Sequence, residues 1–259
     1  MKAIQALKAG PNGKKTEDYL LYTMVLSALM WRRYNGEIKL VTDTSGKKFL
    51  TESGAAGAWD EISTLLDDIP SYVDRSVFWA AGKIFALKNE KAPIAVIDTD
   101  FIVWKPIKIN NTNGIYVIHK ENLSDSVYPN AEPYISFDDG FSWSVPPSNA
   151  AFYYIGRDDF LKRYTDYAMR FMRLCTEKDT LCPMVFAEQR LFSMTAEKMN
   201  IPIDCFSSQA ELESAANDTF THLWGYKSTL EKNEAEKEKF TQRLIQKLKK
   251  EFPDFKMNI

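Results

Sequence analysis

Histidine and cysteine are scarce in this chain: 2 and 3 respectively among 259 residues. Cys175, Cys182 and Cys205 show no Cys-x-x-Cys spacing, and an odd count does not build a disulfide framework. That pattern argues against a zinc knuckle and fits a reducing compartment. No apolar signal segment occupies residues 1–15. The most apolar early run, residues 19–31, is too short to cross a bilayer and is interrupted by Thr23 and Ser27. Excess charge is also missing. The formal net charge is -2, so neither nucleic acid nor an acidic membrane is attracted in general. There is no internal repeat, heptad array or signature of disorder. The expectation is a soluble, cytoplasmic protein without a transmembrane segment, with peripheral membrane contact as the alternative.

What is present is an ordinary globular composition, 45% hydrophobic and 26% charged. The length suits a single α/β unit with additions, so one domain is expected over residues 1–259, with a C-terminal helical extension near residues 229–252. Aromatics are plentiful at 13%; most are expected to fill the core.

Strand and helix patterns alternate. Residues 3–7 read as a first strand, followed by a turn at Gly10-Pro11-Asn12-Gly13. Thr16, Glu17 and Asp18 open a helix that ends at Arg32-Arg33 before Asn35-Gly36. Residues 38–41 form a second strand with Asp43 at its tip, either a nucleotide contact or a turn aspartate before Gly46. Residues 51–69 read as small helices, and a helix carrying Lys83 starts at Ser76. Strand-helix alternation of this kind predicts a mainly parallel sheet with crossover helices. Further strands are expected over residues 114–118, 149–155 and 201–205, and helices over residues 158–174, 184–199 and 230–252.

The chain is organised around the run Ala95-Val96-Ile97-Asp98-Thr99-Asp100-Phe101-Ile102-Val103-Trp104. Branched apolar residues from Ile94 predict a strand buried on both faces. Period-two alternation places Asp98 and Asp100 on one side of an extended chain. Two neighbouring carboxylates repel and are costly to desolvate. A divalent cation shared with a phosphate relieves both costs, and oxygen ligands favour Mg or Mn over Zn. Without that context, an Asp-x-Asp at a strand mouth reads as a polar strand end or a cap.

Four segments follow one another in a telling order: Asp98-Thr99-Asp100, Asn149-Ala150-Ala151, Glu188-Gln189, and His222 with Gly225 and Lys227. This order resembles GT-A-fold glycosyltransferases. It is similar to the broad set holding the glycogenin and lipopolysaccharide galactosyltransferase family, and to the family of the yeast initiating mannosyltransferase. The resemblance runs roughly over residues 38–227 as a match of order. It implies a Rossmann-like α/β fold with a mixed, mainly parallel sheet flanked by helices. It also implies a nucleoside-diphosphate sugar as donor, a glycan or other hydroxyl acceptor, and Mn or Mg as cofactor. Transfer would be retaining, with a role in bacterial-type surface polysaccharide synthesis.

Carried onto this sequence, the resemblance makes Asp98, Asp100 and His222 the metal ligands. Asp43, Lys83, Thr99 and Lys227 join the two aspartates as donor-binding residues, and Asn149 and Glu188 are the catalytic candidates; Asp139, read from its own position, is a candidate catalytic base if the reaction inverts the sugar. The family pattern His-x-x-Gly-x-x-Lys is not fully kept, because Lys227 comes one residue early. Each residue also has a plain structural role open to it. Asn149 can be a strand-start or turn residue, Glu188 a solvated helix carboxylate, and Asp138-Asp139-Gly140 a turn. His119, at a strand end, is read as structural. Residues 124–147, rich in proline and aromatics, are expected to shape the acceptor site. Two rival readings remain. One is a haloacid-dehalogenase-like phosphatase, whose Asp-x-Asp normally stands near the start of its domain. The other is a non-catalytic, transferase-like domain that binds a carbohydrate or a partner.

Overall fold

The computed structural model describes residues 1–7, 18–124, 127, 128, 134, 137, 140–208 and 218–258. The turn expected at Gly10 to Gly13, the helix start at Thr16 and Glu17, Asp138 and Asp139, and part of the 124–147 loop lie outside the described residues. The chain falls into two compact units. One holds Met1–Asp67, Asp98–Lys108 and Asn217–Ile259; the other holds Asp68–Ile97 and Ile109–Ala216.

In the first unit, strands β1 (Ala3–Ala6), β2 (Ile38–Val41) and β3 (Glu61–Ser63) are parallel, in the order β3-β2-β1. Helix α1 (Asp18–Tyr34) connects β1 to β2 and is buried at Tyr19 and throughout residues 21–31. A helix apolar on all sides must be covered on all sides. Within this unit α1 packs against strand β5 (Phe101–Val103) and against the last helix, α8 (Glu234–Glu251). Asp18 in its first turn and Arg32 and Arg33 in its last complement the helix dipole. Helix α2 (Thr44–Glu52) follows β2, and β5 pairs antiparallel with β9 (Phe220–His222). Residues 51–69 contain the short helical turns Ala55–Ala58 and Leu65–Asp68, but also β3. A three-residue edge strand with one apolar side chain leaves no periodic signal.

The second unit holds β4 (Ile94–Ile97), β6 (Ile115–Val117), β7 (Phe152–Ile155) and β8 (Ile203–Cys205), in the order β4-β7-β6-β8. Strand β7 runs antiparallel to both β4 and β6, whereas β6 and β8 are parallel. All four residues of β7 are buried, matching its unbroken Phe-Tyr-Tyr-Ile run. Helices α3 (Ala81–Lys88) and α4 (Asp158–Leu174) pack together. Helix α3 starts later than Ser76 because Asp74 turns the chain first. Its carbonyl accepts from Phe78 N–H at 2.8 Å and its carboxylate from Ser76 N–H at 3.0 Å.

Two expected helices are interrupted. Residues 182–198 comprise α5 (Cys182–Val185), a π-helical turn (Phe186–Arg190) and α6 (Leu191–Lys198). The C-terminal helix is split at Asn233 into α7 (Tyr226–Lys232) and α8, and the Asn233 side chain caps α8 by accepting from Glu236 N–H. No described helix is long and apolar enough to cross a membrane.

Candidate metal centre

The run from Ile94 to Trp104 is not one strand. It is β4, a turn, and β5, which belongs to a different sheet. Asp98 C=O accepts from Phe101 N–H at 3.1 Å, closing a β-turn over Asp98-Thr99-Asp100-Phe101. The two carboxylates are therefore gathered by a turn and not by strand alternation. Asp98 and Thr99 are half-buried, and Asp100 is buried.

Pairing β9 with β5 sets Phe101 opposite His222. That register brings the His222 ring to the turn. Its Nε2 lies 3.8 Å from Asp98 Oδ2 and 3.6 Å from Asp100 Oδ1. One ligand atom from each of the three residues falls within 4.8 Å of the others. Ligands of a single cation at about 2.0–2.3 Å must lie within about 4.6 Å of one another. The spacing fits an ion after shifts of tenths of an ångström, and two oxygens with one imidazole nitrogen suit Mn, which takes mixed oxygen and nitrogen sets.

Lys227 reaches the same group from the start of α7, with Nζ 2.7 Å from Asp100 Oδ2. The backbone makes this approach short: Lys227 N–H donates to Leu223 C=O, and Leu223 N–H donates to Asp100 C=O. Burial pushes the Asp100 carboxyl up, but hydrogen bonding and charge from His222, then Lys227, outweigh it and hold the group well below the usual carboxylate range.

Asp43 belongs to the same unit and caps α2. Its Oδ1 accepts from Gly46 N–H at 2.7 Å. A Cβ on residue 46 would stand 2.1 Å from Thr42 Oγ1, so only glycine lets the chain turn this closely under the aspartate.

The second unit assembles another polar group. Lys83 Nζ lies 2.6 Å from Glu188 Oε1 and donates to Ala150 C=O at 2.9 Å. Both side chains are buried. The π-helical turn offers the Glu188 carbonyl to two tyrosines, and Tyr153 and Tyr164 hydroxyls each donate to it at 2.9 Å. Asn149 donates its amide to Glu121 Oε1 at 2.7 Å, and the same oxygen lies 3.1 Å from His119 Nε2. Asn149 Oδ1 accepts from Ala151 N–H at 3.0 Å.

The structure thus brings Asp98, Asp100, His222 and Lys227 together in one unit, and Lys83 with Glu188 in the other. Asp139 lies outside the described residues. Sequence reasoning missed Glu121, one of several acidic residues in a loop, and the tyrosines behind Glu188. It also missed Gln5, whose one signal is a polar residue in an otherwise apolar strand.

Residues 2–141 match a family model described as Family of unknown function (DUF6734). The chain belongs to the DUF6734 family. No curated protein matches this DUF6734 member. Among solved structures it is similar to one titled PaToxG Glycosyltransferase, with a TM-score of 0.50 and 13% identity over 76% of this chain and 69% of that one. It also matches mouse xyloside xylosyltransferase 1 in its apo form, with a TM-score of 0.45 and 8% identity over 80% and 85% of the two chains. An active-site mutant of LgtC gives a TM-score of 0.42 and 11% identity over 85% and 79%. The DUF6734 chain therefore has the mixed α/β fold of GT-A glycosyltransferases, and its likeness to them is one of fold.

Proposed function

We propose that the chain is a metal-dependent glycosyltransferase. It takes a sugar from a nucleoside-diphosphate sugar and passes it to a hydroxyl acceptor. The observation that carries this reading is the convergence of Asp98, Asp100 and His222, distant in sequence, to within 4.8 Å at a turn of a glycosyltransferase-type fold. The retaining outcome and a surface glycan as acceptor follow from the resemblance of the motifs, and a cytoplasmic setting from the cysteine pattern; all are part of the same proposal.

Asp98, Asp100 and His222 would hold Mn or Mg. Bound there, the ion supplies a Lewis acid that offsets charge on the departing diphosphate. Asp100 is the buried anchor, its carboxyl held below the usual range by His222 and Lys227. Lys227 carries a positive charge on a side chain long enough to turn from Asp100 to a phosphate oxygen, adding point charge to the leaving group. Thr99, between the two aspartates, presents its backbone and hydroxyl at the same turn. Asp43 is assigned a nucleotide contact through the carboxylate oxygen that Gly46 does not engage.

In the second unit, Glu188 and Asn149 are assigned to sugar hydroxyls. An amide both donates and accepts, and a carboxylate held by Lys83 accepts. Asp139 keeps its assignment as a catalytic candidate on sequence grounds alone.

The test is a thermal-shift screen of UDP-, GDP- and CMP-sugars with and without Mn, followed by transfer assays on the donor that binds. A ligand that binds only the native state raises the melting midpoint. The expected result is a shift with one nucleotide class that disappears in excess chelator. Equal binding with chelator would overturn the metal-dependent form of this reading, and release of phosphate from generic phosphoesters without sugar transfer would favour the phosphatase.

A further inference from the structure

A polar relay lies beneath the Asp-x-Asp turn, inside the first unit. Gln5 on β1 and Ser27 on α1 are fully buried, and Trp59 is nearly so. The Trp59 indole N–H donates to Gln5 Oε1 at 2.8 Å. Gln5 Nε2 donates to Ser27 Oγ at 2.9 Å and to Asp98 C=O at 3.3 Å. Ser27 Oγ in turn donates to Phe101 C=O.

The direction of every bond is forced. An indole only donates, so Gln5 must present its oxygen to Trp59 and its two amide hydrogens to Ser27 and Asp98. Ser27 then accepts from Gln5 and spends its own hydrogen on Phe101. The two carbonyls reached are those of the first and last residues of the turn that carries both aspartates. Asp98 C=O already closes the turn by accepting from Phe101 N–H, and Asp100 C=O accepts from Leu223 N–H.

Leaving polar groups at fully buried positions of a strand and a helix is expensive unless each is hydrogen-bonded. Burial of β1 and α1 needs only apolar side chains, as at Ala3, Ile4, Val25 and Leu26. What the relay adds is fixation of the two carbonyls that bracket the turn.

We infer that Gln5 and Ser27, backed by Trp59, are positioning residues for the metal centre: they hold the Asp98–Phe101 turn in the conformation that aims both carboxylates at one cation. This deepens the reading of the site as a metal-dependent transferase and rests on it. Groups that orient metal ligands typically change metal affinity by roughly 10–100-fold when removed.

The experiment uses the full chain and Mn alone, with affinity read from the loss of the free-Mn electron paramagnetic resonance signal. Melting midpoints in excess chelator are measured alongside. Ser27→Ala removes the bond to Phe101, and Gln5→Glu keeps an acceptor for Trp59 while losing the donor bonds to both Ser27 and Asp98. Both are expected to weaken Mn binding by about tenfold or more, in chains that still melt cooperatively in chelator at a midpoint lowered by the unsatisfied buried groups, more so for Gln5→Glu. Ser27→Thr, which keeps the hydroxyl, is expected to restore affinity. If Gln5→Glu does not fold, Ser27→Ala and its threonine counterpart decide the matter. Unaltered Mn affinity in a folded Ser27→Ala chain, or equal loss in Ser27→Ala and Ser27→Thr, overturns the positioning role while the metal site stands. Absence of saturable Mn binding by the unaltered chain overturns the metal-dependent form of the transferase reading, and this inference with it.

Discussion

His222 Nε2 stands 3.6 Å from Asp100 Oδ1 because β9 pairs with β5 immediately beyond the turn that carries the aspartate. The same pairing places Phe101 opposite His222, and their rings meet edge to face at 6.3 Å between centroids. A strand register, not a local motif, therefore brings the His222 imidazole to the two carboxylates.

His222→Ala and Asp100→Asn are each expected to weaken Mn-dependent binding of the sugar nucleotide by at least tenfold. The double variant should be little worse than either single one, because both act through one ion. Calorimetric titration with Mn present, alongside circular dichroism to verify the fold, checks this. Losses that simply add would mean the two residues do not share a ligand.

Lys227 and a cation compete for Asp100. Lys227→Met is expected to raise affinity for Mn alone by a few-fold, because the ion no longer displaces an ammonium. Affinity for the sugar nucleotide should fall by about tenfold, the scale of one charge-assisted phosphate contact. Without metal, the variant should lose about 1 kcal/mol of stability, since Lys227 is partly exposed and the pair is screened. Parallel Mn and nucleotide titrations separate the two effects, and equal weakening of both would contradict the competition.

Acid should act on the site through Asp100. Its carboxyl titrates below the usual range in the folded chain, so the folded state binds fewer protons than the unfolded one as pH drops. The associated stability is fully present above the unfolded value, near pH 4, and is lost as pH falls below it. Melting midpoints measured from pH 6 to 3 are expected to decline less steeply for Asp100→Asn than for the unaltered chain. Parallel curves would mean that Asp100 gains nothing from its cations.

The Lys83–Glu188 pair is buried on both sides. Removing one charge leaves the other in a poorly solvated site, so Lys83→Met or Glu188→Gln alone is expected to cost about 3 kcal/mol. The double change Lys83→Met with Glu188→Gln should cost less than the sum of the two. Urea unfolding of the four chains measures the coupling, and strict additivity would show that the ion pair does not set the stability of this region.

Local patterns determined most of the elements. The unbroken apolar runs of β4 and β7, the all-round apolar stretch of α1 and the amphipathic period of α4 could be read directly, because burial leaves a periodic mark on the sequence. The breaks were not legible. The turn after Ile97, the π-helical turn at Phe186–Arg190 and the split at Asn233 interrupt stretches whose composition is continuous. Each depends on hydrogen bonds to partners elsewhere in the fold or on a side chain capping the backbone. The residues of the candidate metal centre, Asp98, Asp100 and His222, could likewise be named from the sequence. Their convergence was decided by tertiary structure, through the β5–β9 register. Pairing register and buried amide geometry are set by contacts between segments far apart in the chain, and such contacts leave no local trace in sequence.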